Sequence, residues 1–469
     1  MLTELSLANF KSWSRIDNMR LAPITGLFGT NSSGKSSILQ LLLLLKQTAE
    51  SSDRRQVLNF GGESDYVRFG GFREIIHRHD EGQTINIELN WRLIKTLNIQ
   101  DPSAKGKKTL FSGDHMSFRA AVLQNAQDRL VAPRIAYSLG DDTFFLEQRK
   151  GKPGEYVLDV TSSAGSDFRF TRTPGRPWPI KEPPTKCYRF PDQVNAYFQN
   201  AGFLSDLELE FEQMLGRIHY LAPLREFPKR HYLWSGADPT DVGRRGELSV
   251  DALLAGRERG PTISSGRKRR RVTIEERVAY WLRELGLIEA FSVHRIAKDS
   301  NLYEVRVTKN KGGTEVLIPD VGFGVSQVLP VLVLCYYAPE GSTLLFEQPE
   351  IHLHPSVQCG LADVFIDVAK NRNMQIIVES HSEHLLTRLL RRIAEGEGAD
   401  RGTTIEQVAL YFCEAGGAGS TLTPLDVDLL GKVRNWPRDF FGDRFGEVAA
   451  REEAALARQV EAEAGGSAE

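Results

Sequence analysis

An α/β fold, built on a mixed and largely parallel sheet with a β-rich lobe inserted into it, is what this sequence predicts. Three observations carry the reading. An apolar strand-like run at 24–28 leads into Gly29-Thr30-Asn31-Ser32-Ser33-Gly34-Lys35-Ser36, and an apolar helical run at 38–45 follows. After Asp320 the pattern alternates helix, strand, helix, strand at 325–337, 343–346, 356–369 and 375–378, the rhythm of parallel α/β sheets. Between them, from about 84 to 211, short alternating or apolar runs separated by Gly, Asp and Pro read as antiparallel strands.

The element at 29–36 reads GxxxxGKS in the strand–loop–helix setting that distinguishes a P-loop from a chance match. Its glycines let successive backbone N–H groups face one anion at a helix N-terminus, where the macrodipole favours negative charge. Asn31, Ser32, Ser33, Gly34, Lys35, Ser36 and Ser37 are the candidate nucleotide-binding residues. Lys35 reaches the β/γ-phosphates and the Ser36 hydroxyl ligates Mg²⁺ in such a loop. ATP or GTP is therefore the expected ligand.

Organisation follows from the same pattern. Residues 1–80 hold two strands, the P-loop and its helix; 81–215 form the β-rich insertion; 216–448 return to the α/β sheet; 449–469 form an Ala/Glu-rich tail. The stretch 174–191 holds six prolines and is expected to be extended and irregular. Helical apolar spacing marks 272–285, alternation marks a strand at 302–308, and 219–225 reads as a strand ending in a loop. No internal repeat is visible.

Composition narrows the class. The 469 residues are 41% hydrophobic and 26% charged, as in an ordinary globular protein with a sizeable core. The net charge is −2, so a nucleic-acid contact would need a local patch such as Arg267-Lys268-Arg269-Arg270-Arg271. That run reads either as a solvated loop or as a phosphate-backbone contact without sequence specificity. Cys187, Cys335, Cys359 and Cys413 are scattered, with no CxxC pair, as expected in a reducing cytoplasm. No secretory signal opens the chain, and the apolar runs at 41–45 and 328–338 fall short of the ~20 residues of a membrane span.

The second half of the expected site lies on two further strands. One ends in Glu347-Gln348-Pro349-Glu350, and an acid at a strand end is how a P-loop fold delivers a Mg²⁺-directed carboxylate, here Glu347. The other ends in Glu379-Ser380-His381-Ser382. Ligands of open α/β sheets bind at the carboxyl ends of the strands, so the three ends should converge.

Taken together, Asn9-Phe10-Lys11-Ser12, the P-loop, Glu347-x-Pro-Glu-x-His-Leu-His-Pro355 and the strand before Ser380-His381 resemble the ABC-type ATPases of the SMC/RecF/OLD group. Within it the chain is similar to a subfamily of bacterial ATPases with Gly322-Phe323-Gly324-Val325-Ser326-Gln327-Val328-Leu329-Pro330 before the acidic strand and Trp436-Pro437-Arg438-Asp439-Phe440-Phe441 near the end. The resemblance covers roughly 1–75 and 215–445, and it implies a P-loop ATPase of ABC-head type. Gly324, Ser326 and Gln327 would bind the γ-phosphate held by a second protomer, giving a homodimer that sandwiches two ATP molecules. Glu347 would hold Mg²⁺, His354 and Pro355 would lie at the dimer interface, and His381 would sense the γ-phosphate.

One position departs from the pattern. The general-base glutamate is replaced by Gln348, whose amide orients a water but cannot take its proton. General-base help is typically worth ~10²–10⁴-fold, so slow hydrolysis is expected, with Glu350 or Glu379 as candidate substitutes.

Three other constellations are weaker. His352, His354, His381 and His384 lack zinc-site spacing. Asp426-Val427-Asp428 is similar to a Toprim DxD, but too little chain follows for a Toprim nuclease, so an acidic turn is expected. Tyr220, Tyr232 and Trp234 read as core aromatics around Arg225, itself a nucleotide or interface contact or a packed side chain. The resemblance implies a separate effector such as a nuclease, and relatives such as the Septu ATPase point to anti-phage defence. A DNA-stimulated maintenance ATPase and an ATP-binding scaffold remain alternatives.

Overall fold

The computed structural model describes residues 1–100, 109–163, 165, 167–260, 263–264, 271–399, 401–437, 449–456 and 458. Strands β1 (Leu2–Phe10) and β2 (Trp13–Arg20) form an antiparallel hairpin, and β3 (Ile24–Gly29) runs through the P-loop into α1 (Lys35–Glu50). A short helix α2 (Phe72–Ile75) precedes β4 (Ile85–Gln100), β5 (Thr109–Gln124), β6 (Leu130–Leu139), β7 (Asp142–Gln148) and β8 (Tyr156–Ser162). Helices α3 (Asp192–Tyr197) and α4 (Leu204–Gly216) lead to β9 (Ile218–Leu221) and β10 (Tyr232–Leu233). Among the described residues no helix or strand lies between β8 and α3, in keeping with the proline-rich sequence there.

Beyond β10 come α5 (Ser249–Arg259), the two-residue strands β11 (Ile263–Ser264) and β12 (Arg271–Val272), α6 (Ile274–Glu284), β13 (Ala290–Arg295), β14 (Leu302–Thr308) and β15 (Glu315–Leu317). The chain then alternates through α7 (Phe323–Tyr337), β16 (Thr343–Glu347), α8 (Pro355–Arg372), β17 (Gln375–Glu379) and α9 (Glu383–Glu395), and closes with β18 (Val408–Gly416) and β19 (Gly419–Pro424).

Two sheets organise these elements. The six-stranded sheet has the order β19-β18-β3-β17-β16-β9 and is parallel except for β19. Its central strands β3, β16 and β17 are buried along their whole length, which is why they read as continuous apolar runs. Their residues alternate between two cores: Leu27, Leu345 and Ile377 face one, and Phe28, Phe346 and Val378 face the other with α7, α8 and α9.

The seven-stranded antiparallel sheet has the order β2-β1-β4-β5-β6-β7-β8. The strands expected in the insertion do not stand apart; β4 pairs with β1, with Leu5 opposite Leu89, and extends the N-terminal hairpin. One face packs on α4, where the buried Phe211 meets Trp91, Phe118, Tyr137 and Tyr188 at ring-centroid distances of 4.3–6.1 Å. This seam joins the two sheets, since α1 packs on α4.

Helix α7 is apolar on nearly all sides and sits in the second core, with Pro330 inside it. Among the described residues no helix is long and apolar enough to cross a membrane. Cys187, Cys335 and Cys413 are buried free thiols and Cys359 is half-buried.

Candidate nucleotide site

The P-loop is held in shape by backbone that only glycine tolerates. Gly34, the N-cap of α1, has φ +87°, and a Cβ there would lie 2.3 Å from Ser12 Oγ and 3.0 Å from Trp13 Nε1. Trp13 Nε1 donates to the Gly34 carbonyl at 2.9 Å, so the turn between β1 and β2 clamps the loop. Gly29 is equally constrained, since a Cβ would meet the Cys413 carbonyl at 2.0 Å. Ser12 and Trp13, at the turn after Asn9-Phe10-Lys11, thus buttress the loop, a role that no local sequence signal reveals.

Lys35 is buried and curls over the loop, donating to the carbonyls of Thr30 at 2.7 Å and Gly29 at 3.2 Å and to Ser33 Oγ at 3.3 Å. Burial holds its ammonium below the ordinary lysine value, against the pull of Glu379. Asn31 and Ser32 are exposed, Ser33 and Ser37 are buried, and Ser32 takes the left-handed φ of 58°.

Three carboxylates gather beside this loop. β16 and β17 end in register, Glu347 opposite Glu379, and Glu379 lies opposite Leu27 of β3. Glu379 hydrogen-bonds the Ser36 hydroxyl. Glu347 accepts from the Tyr220 hydroxyl on β9. Glu350 Oε1 accepts from the His381 N–H at 2.7 Å. All three are buried, yet Glu347 Oε1, Glu350 Oε2 and Glu379 Oε2 have no hydrogen-bond partner. Burial and the facing charge of Glu379 push the Glu347 carboxyl up to about 7, and burial raises Glu350 and Glu379 as well.

Orphaned buried carboxylate oxygens of this kind are costly unless a cation or water completes them. With Ser36 they form a hard oxygen donor set of the sort that Mg²⁺ takes, so the residues fit the ion that a P-loop implies. No cluster of three or more His, Cys, Asp or Glu side chains poised for direct metal ligation occurs among the described residues, so the fit is to an ion that keeps several waters and its phosphate ligands.

Gln348 turns the chain out of β16 with φ +44°, its N–H donating to the Glu379 carbonyl at 2.8 Å. The half-buried His381 is held below the ordinary histidine value by burial and by Lys35, and its ring meets the Gly29 backbone. The P-loop, Glu347, Gln348, Glu350 and His381 are therefore brought to one sheet edge. Arg225, on the loop after β9, joins them, its charge felt by Tyr220, Glu350 and Glu347. The aromatic group read around it divides: Tyr220 belongs to the site, whereas Tyr232 pairs with Tyr303 on the small sheet of β10, β13, β14 and β15, and Trp234 stacks edge-on to Tyr303.

Gly324, Ser326 and Gln327 lie elsewhere, on the first turns of α7. Ser326 and Gln327 are buried, and Ser326 Oγ donates to the Phe323 carbonyl at 2.8 Å. Phe323 itself is exposed and packs edge-on against Phe227 and His352, 5.8 and 5.5 Å away. His354 is exposed and caps α8. Asp428 accepts N–H bonds from Leu430 and Lys432, an acidic turn. Of the basic run, 267–270 lies outside the described residues, as do Arg438 to Phe441 of the C-terminal motif.

A family model described as "AAA domain, putative AbiEii toxin, Type IV TA system" matches residues 24–387, more than half of the chain. The chain belongs to this AAA-domain family. A second model, "Protein of unknown function (DUF3696)", matches residues 404–450 of the AAA-domain chain. No curated protein matches it. Among solved structures it is similar to an SMC head domain from Thermotoga maritima (12% identity, 91% of this chain and 99% of that one, TM-score 0.40). It is also similar to an Smc head bound to the C-terminal winged-helix domain of ScpA (12%, 90% and 98%, 0.43). A third is an Smc head with extended coiled coil bound to the C-terminal domain of ScpA, derived from Pyrococcus furiosus (11%, 90% and 96%, 0.43).

Proposed function

We propose that this AAA-domain protein is a magnesium-dependent ATP switch that hydrolyses its nucleotide slowly, closes as a homodimer around two ATP molecules, and regulates a separate effector such as a nuclease in bacterial anti-phage defence. The observation that carries the reading is the set of unpartnered oxygens on Glu347, Glu350 and Glu379 beside a P-loop lysine, with an amide at Gln348 between them.

In this reading the N-terminal N–H groups of α1 and Lys35 bind the phosphates, and Ser36 and Glu347 hold the ion. Mg²⁺ would neutralise charge on the phosphate oxygens and fix their orientation. Gln348 positions a water without removing its proton, so the proton must pass to a slower acceptor, Glu350 or Glu379. Tyr220 keeps the Glu347 carboxylate from rotating away. His381, poorly disposed to protonate, offers a neutral ring next to Lys35.

Closure is supported by the exposed apolar surface of Phe227 and Phe323 at 68% and 44%, set beside His352 and the start of α7. The test is mass by light scattering. The wild-type mass should double on adding Mg-ATP, and Lys35→Ala should not respond. A wild type that binds ATP and keeps a monomer mass contradicts the gated dimer.

A further inference from the structure

Arg225 is 6% exposed and stands four residues beyond β9, the edge strand of the six-stranded sheet. Its Nη1 has no hydrogen-bond partner. The neighbouring carboxylates do not fill the gap, because Glu347 Oε1 and Glu350 Oε2 are unpartnered too. Among the described residues, the buried Arg277 and Arg372 leave only Nε without a partner and spend Nη groups on fixed acceptors: Arg277 on Asp367 at 2.7 Å, Arg372 on the Cys335 and Ala338 carbonyls at 2.5 and 2.9 Å. Burial lowers Arg225 only to about 10, so it stays cationic at neutral pH. A buried guanidinium with an open N–H group is unfavourable in isolation and suits an oxyanion that can accept a charge-assisted bond from it.

The sheet order relates Arg225 to the P-loop. The P-loop leaves β3, and β17 and β16 separate it from β9. Arg225 thus lies on the β9 side of the site, near Glu347 and Glu350, and Lys35 on the β3 side. A phosphate chain held at the α1 N-terminus would reach Arg225 by running across the Glu347 and Glu379 strand ends.

We propose that Arg225 is a second cation for the terminal phosphate, supplied by the same chain as the P-loop, and that it makes the site prefer ATP to ADP. The inference rests on the nucleotide-binding reading above. It differs from a charge-balancing role for Glu347 and Glu350, which would act on both nucleotides alike.

The experiment is calorimetric titration of wild type, Arg225→Ala, Arg225→Lys and Lys35→Ala with Mg-ATP and with Mg-ADP, after thermal melts confirm folding. Arg225→Ala should lose ~10-fold or more in ATP affinity while ADP affinity changes less than ~2-fold, as for one charge-assisted hydrogen bond. Arg225→Lys should recover part of the loss. Equal losses for both nucleotides, or no loss for either, overturn the proposal. If Arg225→Ala does not fold, Arg225→Gln supplies the same comparison, since it keeps a donor and removes the charge. A wild type that binds neither nucleotide, or a Lys35→Ala variant that binds both normally, would instead refute the nucleotide site itself.

Discussion

Glu347 and Glu379 stand opposite each other at the carboxyl ends of two paired parallel strands, both buried, and each keeps one oxygen without a partner. Like charges so placed repel in a poorly solvated setting, and a divalent cation relieves both. Millimolar Mg²⁺ should therefore raise the melting temperature of the nucleotide-free protein. Glu379→Gln should melt higher than wild type without Mg²⁺ and gain less from it. A wild type indifferent to Mg²⁺, with and without ATP, would contradict the ion site.

Gly34 tests the loop geometry. Any side chain there has to adopt φ +87° and displace Ser12 Oγ and Trp13 Nε1. Gly34→Ala should cost about 2 kcal/mol or more in urea unfolding and abolish nucleotide binding. Trp13→Phe, which removes the 2.9 Å bond to the Gly34 carbonyl and also leaves a gap where a fully buried indole packed, should cost about 2 kcal/mol or more and weaken binding without abolishing it.

Glu208 gives a pH signature away from the site. Burial raises its carboxyl from 4.5 to about 7, although it accepts the Phe190 N–H at 2.6 Å and faces Arg189. A group that binds its proton more tightly folded than unfolded makes the protein less stable as pH rises from about 4.5 to about 7, and the loss levels off above that. The contribution is on the order of 3 kcal/mol. Glu208→Gln should flatten that part of the stability profile, measured as urea midpoints across pH 4.5–8; an unchanged slope would assign it to other groups.

Asp363, on α8, is buried and accepts from Arg388 at 2.9 Å and Arg392 at 2.7 and 3.0 Å, both on α9. Because α9 begins two residues after His381, this pair of helices sets where the histidine sits. Asp363→Ala leaves Arg388 without its carboxylate and Arg392 with Glu395 alone, and should cost roughly 3 kcal/mol, with weaker ATP binding as a consequence. Urea unfolding and nucleotide titration on the same preparation check both parts.

Much of the α/β half could be read from the chain because its signals are local. Apolar strands ending in Gly29, Glu347 and Glu379 announced the sheet edge, and β14 falls at Leu302–Thr308 as its alternation predicts. What escaped depends on pairing across long sequence distances. Leu5 meets Leu89, merging the hairpin with the later strands, and nothing in either segment names its partner. Tyr220 looked like a core aromatic, and only the β9–β16 register, with Leu221 beside Phe346, brings its hydroxyl to Glu347. Trp13 likewise gave no hint that its indole would anchor Gly34.

The most direct test of the central claim, that Gln348 makes this a slow ATP switch, is phosphate release from pure protein with Mg-ATP, run beside Gln348→Glu and Lys35→Ala. The account predicts a slow wild type, a Gln348→Glu variant faster by about 10²-fold, and no release from Lys35→Ala. A wild type with rapid turnover that Gln348→Glu slows would contradict it, and would place the proton acceptor at Glu350 or Glu379 in a site tuned around the amide.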